Sequence, residues 1–138
     1  MKIADIEKML AGCSNQEERV RAMITAGFLE LGRGNHKTVF DFDGRQVLKI
    51  VPHESGIRDR HVWGLISPEN MVHYALTSFG DYWQVQEKGE PLKLGQCDVQ
   101  SLARIAKRDG IKDIHFNNVM MFDGVLKIID GRPIKWPL

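Results

Sequence analysis

Two short runs hold the residues of this chain best suited to chemistry: Asp113-Ile-His-Phe-Asn-Asn118 and Leu126-Lys-Ile-Ile-Asp130-Gly131. Asp113 can act as a base beside a hydroxyl. Asn118 and Asp130 offer oxygen donors that suit Mg²⁺ held against a nucleotide's phosphates. Upstream, Gly32-Arg-Gly34 precedes a strand-like run, Gln46-Val-Leu-Lys49-Ile-Val51, with a lysine embedded in it. Gly32 and Gly34 would let backbone close over phosphates without Cβ clashes, although a glycine-rich β-turn is the plainer reading of the pair. Lys49 either snorkels from an edge strand or reaches a phosphate. An Asp-Gly after a strand, as at Asp130-Gly131, is by itself a turn signal.

The elements that must position these residues can be read from periodicity and punctuation. Ile3, Ile6 and Leu10 share one helical face, ended by Gly12. Ser14-Asn-Gln-Glu17 is a capping-box pattern that opens a second helix, with Val20, Met23 and Ile24 inward and Gly27 as its cap. Strands follow at Phe28–Leu31, Lys37–Phe42 and Gln46–Val51, the last two joined by the hairpin signal Asp43-Gly44. A weaker helix spans His53 to Ile66, interrupted by Gly56 and Gly64 and ended by Ser67-Pro68. Met71–Phe79 and Tyr82–Glu87 read as a further strand pair turning at Gly80-Asp81. Asp98 can cap a helix through Arg108, with Val99, Leu102, Ile105 and Ala106 inward. A last hairpin, Val119–Phe122 and Val125–Ile129, turns at Asp123-Gly124. The class is α+β with antiparallel hairpins.

Glycine loop, lysine strand, helix, two strands, helix, catalytic loop and metal-binding acid occur in that order from Gly32 to Gly131. In this the chain resembles the protein kinase-like superfamily. Asp-Ile-His-Phe-Asn-Asn is similar to the Asp-Leu-His-x-x-Asn loop of aminoglycoside phosphotransferase-type kinases, and to Asp-Met-His-x-x-Asn in the serine/threonine kinases of T7-like phages. The resemblance implies a minimal kinase-like fold: a helical pair over residues 1–28, then residues 29–138 as an antiparallel N-lobe sheet and a truncated C-lobe. It implies ATP and Mg²⁺ as cofactors, with Asp113 as the base, Asn118 and Asp130 as metal ligands, and Gly32, Gly34 and Lys49 on the phosphates. The backbone of Gln86, Glu87 and Lys88 would meet the adenine edge.

Glu54, Asp59 and Glu69 are the candidates for the acid that braces Lys49, and spacing assigns none of them. His115 is expected to brace its loop by hydrogen bonding, and Asn117 to cap a turn. The residues before Asp113 are Ile111-Lys112, and Gly131 follows Asp130 directly, so the aromatic of the kinase Asp-Phe-Gly is missing. After Gly131 only Arg132 to Leu138 remain, with no room for an activation segment. Two functions stay open: a compact phosphotransferase acting on a protein hydroxyl, phage-encoded and aimed at host proteins by resemblance, or a silent kinase-like module that binds a partner. A shortened lobe should leave apolar surface uncovered, which implies a homodimer or a hetero-complex.

Composition narrows the remaining classes. With 138 residues there is room for one core-bearing domain, and a net charge of +1 gives no global pull toward nucleic acid or an anionic membrane. No apolar run approaches a bilayer span, and the N-terminus has no signal-peptide core. Cys13 and Cys97 form neither a disulfide framework nor a metal clip, so the expected compartment is a reducing cytoplasm. His36, His53, His61, His73 and His115 show no metal-binding spacing. Lys107, Arg108 and Lys112 form a local basic cluster beside the proposed loop, and Trp63, Trp83 and Trp136 suit core or interface positions.

Overall fold

A computed structural model of the chain describes residues 1–93 and 98–137; Cys97, read in the sequence as part of neither a disulfide framework nor a metal clip, lies outside them. The class is α+β, with a five-stranded antiparallel sheet. The chain divides into two compact units, Met1–Ile57 with Thr77–Lys88, and Arg58–Leu76 with Gly89–Leu138. Among the described residues no helix is long and apolar enough to cross a membrane.

The first unit begins with helices α1 (Ile3–Ala11) and α2 (Gln16–Thr25). Ile6 and Leu10, one helical turn apart, are fully buried. Asn15, one residue later than expected, caps α2: its Oδ1 accepts the Glu18 N–H at 2.9 Å, and the Glu18 carboxylate accepts the Ser14 N–H at 2.7 Å. The cap therefore forms one position along from Ser14, and the Glu18 carboxylate reaches back to the residue before the cap rather than to the cap's own N–H. Val20 and Met23 are buried as expected, but Ile24 falls outside the stripe and is half exposed. Arg19 is buried in its stead, with its guanidinium carbon 3.7 Å from the Tyr82 ring centroid. That stacking keeps a planar cation against an apolar surface.

The sheet contains β1 (Glu30–Arg33), β2 (Thr38–Asp41), β3 (Gln46–Ile50), β4 (Thr77–Phe79) and β5 (Trp83–Glu87) in the order β1-β2-β3-β5-β4. Asp43 Oδ1 accepts the backbone N–H groups of Arg45 and Gln46 at 2.9 and 2.7 Å, and Gly44 takes φ +83°, so the β2–β3 turn forms where Asp-Gly predicts it. Phe40, Leu48, Ile50, Trp83 and Val85 pack with α1 and α2 into one core. Because side chains alternate along a strand, Val47 and Lys49 occupy the opposite face of the sheet.

Helix α3 (His53–Leu65) follows β3. The next segment departs from expectation. Pro68–His73 winds into a 3₁₀ helix with proline in its first turn, and β4 begins only at Thr77. Tyr74 and Ala75 pair instead with Ile128, the Ala75 N–H donating to its carbonyl at 2.9 Å.

In the second unit, α4 (Val99–Arg108) is capped by Asp98, whose Oδ1 accepts the Ser101 N–H at 3.2 Å. Strands β6 (Ile111–Lys112) and β9 (Arg132–Pro133) form one ladder, and β7 (Val119–Phe122) and β8 (Val125–Ile128) another. Asp123 and Gly124 both take positive φ at the β7–β8 turn, the geometry an Asp-Gly hairpin favours. Leu102, Ala106, Ile111, Ile114, Val119 and Ile128 supply most of this unit's core.

Candidate functional site

The acid-amide-acid set lies wholly in the second unit, and two independent ladders bring it together. In the β6–β9 ladder Lys112 lies opposite Arg132, so Asp113, the next residue, comes level with Gly131. In the β7–β8 ladder Val119 lies opposite Ile128, and one step further the Ile129 N–H donates to the Asn118 carbonyl at 2.9 Å. Both ladders therefore end at the same three residues, Ile129 to Gly131, and Asp130 sits at the centre of them.

Asp113 takes φ +64°, a left-handed conformation that aspartate tolerates better than most residues. The loop that follows is held by backbone and amide: Asn118 N–H donates to the His115 carbonyl at 2.8 Å, and Asn118 Nδ2 donates to the Asp113 carbonyl at 2.7 Å. Since only the amide nitrogen can donate to a carbonyl, Asn118 Oδ1 is turned away from Asp113 and is available as an oxygen ligand. His115 braces the loop through its main chain, and its exposed ring takes no part in that bond. Asn117 lies in the short 3₁₀ turn Phe116–Asn118.

Asp130 Oδ1 accepts the Gly131 N–H at 2.9 Å. A Cβ at Gly131 would come within 2.8 Å of Ile111 Cγ2 and 3.1 Å of Ile114 Cδ1, so close packing against the unit's core requires glycine there. Asn118 and Asp130 provide hard oxygens carrying one negative charge. That donor set fits Mg²⁺, which keeps several waters and takes only one or two carboxylates when phosphates complete its shell. Among the described residues no group of three or more His, Cys, Asp or Glu side chains could hold a metal, including the five histidines.

Sequence reasoning missed Arg132, whose Nε lies 3.6 Å from Asp113 Oδ2 with both side chains about half exposed. Only the two-residue β6–β9 ladder makes that contact, and strands so short leave no periodic signal. It also missed the carboxylate at the end of α4. Asp109 accepts hydrogen bonds from the Ser67 hydroxyl and, at 2.9 Å, from Asn70 Nδ2. Burial alone would raise its carboxyl, but the Ser67 and Asn70 donors outweigh it and hold the group below the ordinary carboxylate value.

Gly32, Gly34, Lys49 and Gln86 to Lys88 lie in the first unit. Gly32 falls inside β1 opposite Val39, next to a register irregularity, rather than in a loop. Gly34 opens the β1–β2 turn, its N–H donating to the Lys37 carbonyl at 2.8 Å. Neither has positive φ, and a Cβ at either would meet no atom closer than 3.7 Å, so the hairpin itself does not demand glycine at these positions.

Lys49 is buried, 6% exposed, opposite Gln84 on β5, and Gln84 and Gln86 are buried beside it on the same face. A sheet face this polar is expensive to bury unless each group is hydrogen-bonded. Gln86 Nε2 donates to Thr77 Oγ1 at 3.1 Å. The expectation for Gln86 to Lys88 narrows: the Lys88 N–H donates to the Arg45 carbonyl at 2.9 Å, so that amide is engaged within the sheet and not presented to an adenine edge. Lys88 Nζ lies 3.4 Å from Asp41 Oδ1. Of the three candidate braces, Glu54 and Glu69 are exposed and only Asp59 is buried, with Arg58 Nε 3.8 Å from its Oδ1.

Set against protein-family models, curated proteins and solved structures, the chain matches none of the three.

Proposed function

We propose that this chain is an ATP- and Mg²⁺-dependent phosphotransferase with a minimal protein kinase-like fold, acting on a protein hydroxyl. The observation that carries the reading is the meeting of two ladders at Ile129–Gly131, which sets Asp113, Asn118 and Asp130 on adjoining backbone. The element order supports it: a glycine-bearing hairpin, a strand with a buried lysine, a helix, two strands, a helix and the Asp113 loop. Phosphoryl transfer asks little covalent chemistry of a protein, so positioning and charge carry the rate.

Asp113 accepts the proton of the acceptor hydroxyl as its oxygen attacks the γ-phosphorus; the bond to the β-phosphate oxygen breaks, and ADP leaves with that electron pair. Asn118 Oδ1 and the Asp130 carboxylate would hold Mg²⁺, which neutralises charge on the phosphate oxygens. Lys49 would pair with the α- and β-phosphates, with Gly32 and Gly34 letting the β1–β2 hairpin approach them; Gln86, which lies between Val47 and Thr77, and Glu87, opposite Gln46, are inside the sheet and are not assigned to the adenine edge.

A second reading, a silent partner-binding module, is favoured by one contact: Arg132 holds the carboxylate assigned as the base. The test is transfer of labelled γ-phosphate with Mg²⁺, comparing the native chain with Asp113→Asn and Asp130→Asn. Transfer abolished by both substitutions supports catalysis. No transfer by the native chain, together with a melting temperature indifferent to MgATP, refutes it.

A further inference from the structure

A trough of about 400 Å³ opens beside Asp113 in the second unit. Its floor is apolar, formed by the buried Ile111 and Ile114 and by Ile134, which is 45% exposed. The Ile134 N–H donates to the Gly110 carbonyl at 2.8 Å, fixing that side of the floor. Its charged walls are Lys107, from the last turn of α4, and Lys112 on β6, both exposed. Among the described residues neither lysine has a carboxylate partner, and Asp113 is the only acid lining the trough. The volume lies at the low end of ligand pockets, enough for a few side chains.

We propose that this trough receives an acidic peptide segment around the acceptor hydroxyl, with Lys107 and Lys112 selecting it; the inference rests on the phosphotransferase reading and names its substrate class. The hydroxyl meets Asp113, an apolar side chain covers Ile134, and flanking Asp or Glu residues meet the two ammonium groups. A cationic acceptor, such as an amine-bearing sugar, is disfavoured because it would meet like charge at both lysines.

The test measures binding and transfer separately on the full chain. Labelled serine peptides, one flanked by Asp and Glu and one by Lys, are titrated by fluorescence anisotropy without nucleotide, then offered as substrates with MgATP. The acidic peptide binds and the lysine-flanked one does not; Lys107→Glu with Lys112→Glu weakens binding by about tenfold, as expected for two partly exposed ion pairs. Lys107→Gln with Lys112→Gln, at unchanged melting temperature, gives an intermediate loss. Equal binding of both peptides, or binding untouched by charge reversal, overturns the proposal. So does citrate binding as tightly as the peptide, which would point to a small anionic acceptor. Selective binding without transfer, at a melting temperature indifferent to MgATP, upholds the docking surface and refutes the phosphotransferase reading; transfer without charge preference does the reverse.

Discussion

Asn118 decides whether the loop geometry is right, and two substitutions interrogate its two ends. Its Nδ2 donates to the Asp113 carbonyl at 2.7 Å and so holds a residue at φ +64°. A left-handed non-glycine residue costs about 1 kcal/mol or more, and a partly exposed hydrogen bond contributes about 1 kcal/mol. The bond therefore offsets the strain with little to spare. Asn118→Ala should lose about 1 kcal/mol, lowering the melting temperature by roughly 3 °C. Asn118→Asp should be worse, about 2 kcal/mol, because a carboxylate oxygen then faces the Asp113 carbonyl with no proton between them. Urea titration followed by tryptophan fluorescence measures both. Nucleotide-dependent stabilisation with and without Mg²⁺ then reports the other end of the amide, and Asn118→Ala should lose the Mg²⁺-dependent part. If Asn118→Asp is as stable as the native chain, the amide nitrogen does not face Asp113, and the claim that Oδ1 is presented to a metal fails with it.

Three further outcomes are expected. Gly80→Ala would place a Cβ 2.0 Å from Trp83 Cε2, against an indole only 8% exposed, and should cost about 3 kcal/mol by overpacking; a near-neutral urea midpoint would mean that Trp83 can leave the core. Asp109→Asn should cost about 2 kcal/mol at neutral pH through its two donors, Ser67 and Asn70. Because the Asp109 carboxyl is depressed in the folded state, its stabilisation is present above the ordinary carboxylate value near 4 and is lost as pH falls through the lowered one, so the gap between variant and native chain should close in acid; a gap constant with pH contradicts this. Tyr74→Phe should be neutral or stabilising at pH 7, since the buried Tyr74 hydroxyl has no hydrogen-bond partner among the described residues. Burial, then the charge of Asp109, pushes that phenol up, so the native chain should lose stability relative to Tyr74→Phe as pH rises past about 10, and identical alkaline melting curves would contradict it.

Periodicity and turn chemistry foretold the elements that announce themselves locally. Ile6 and Leu10 face inward, Asp98 caps α4, and both Asp43-Gly44 and Asp123-Gly124 turn hairpins. Expectations went wrong where a long-range contact decided between local options. Tyr74 and Ala75 read as strand but pair with Ile128, leaving Pro68–His73 to wind into a 3₁₀ helix. Asn15 displaced Ser14 as a cap because both residue types cap well, and the buried stripe of α2 runs through Arg19, Val20 and Met23 and leaves Ile24 half exposed. Asp113, Asn118 and Asp130 were legible as residue types at a spacing. Arg132 and the Ser67–Asn70–Asp109 network were not, because their partners lie far apart in sequence and meet only through folded ladders and loops.

The central claim is that the junction of the two ladders holds a metal-bound nucleotide through Asn118 and Asp130. Calorimetric titration with ATP, with and without Mg²⁺, on the native chain and on Asp130→Asn measures it most directly. The account predicts that Mg²⁺ tightens binding to the native chain and that Asp130→Asn loses about 10- to 100-fold of that affinity, the scale expected for a disturbed metal site. Nucleotide binding that is absent, or equally tight with and without Mg²⁺ in both proteins, would contradict it.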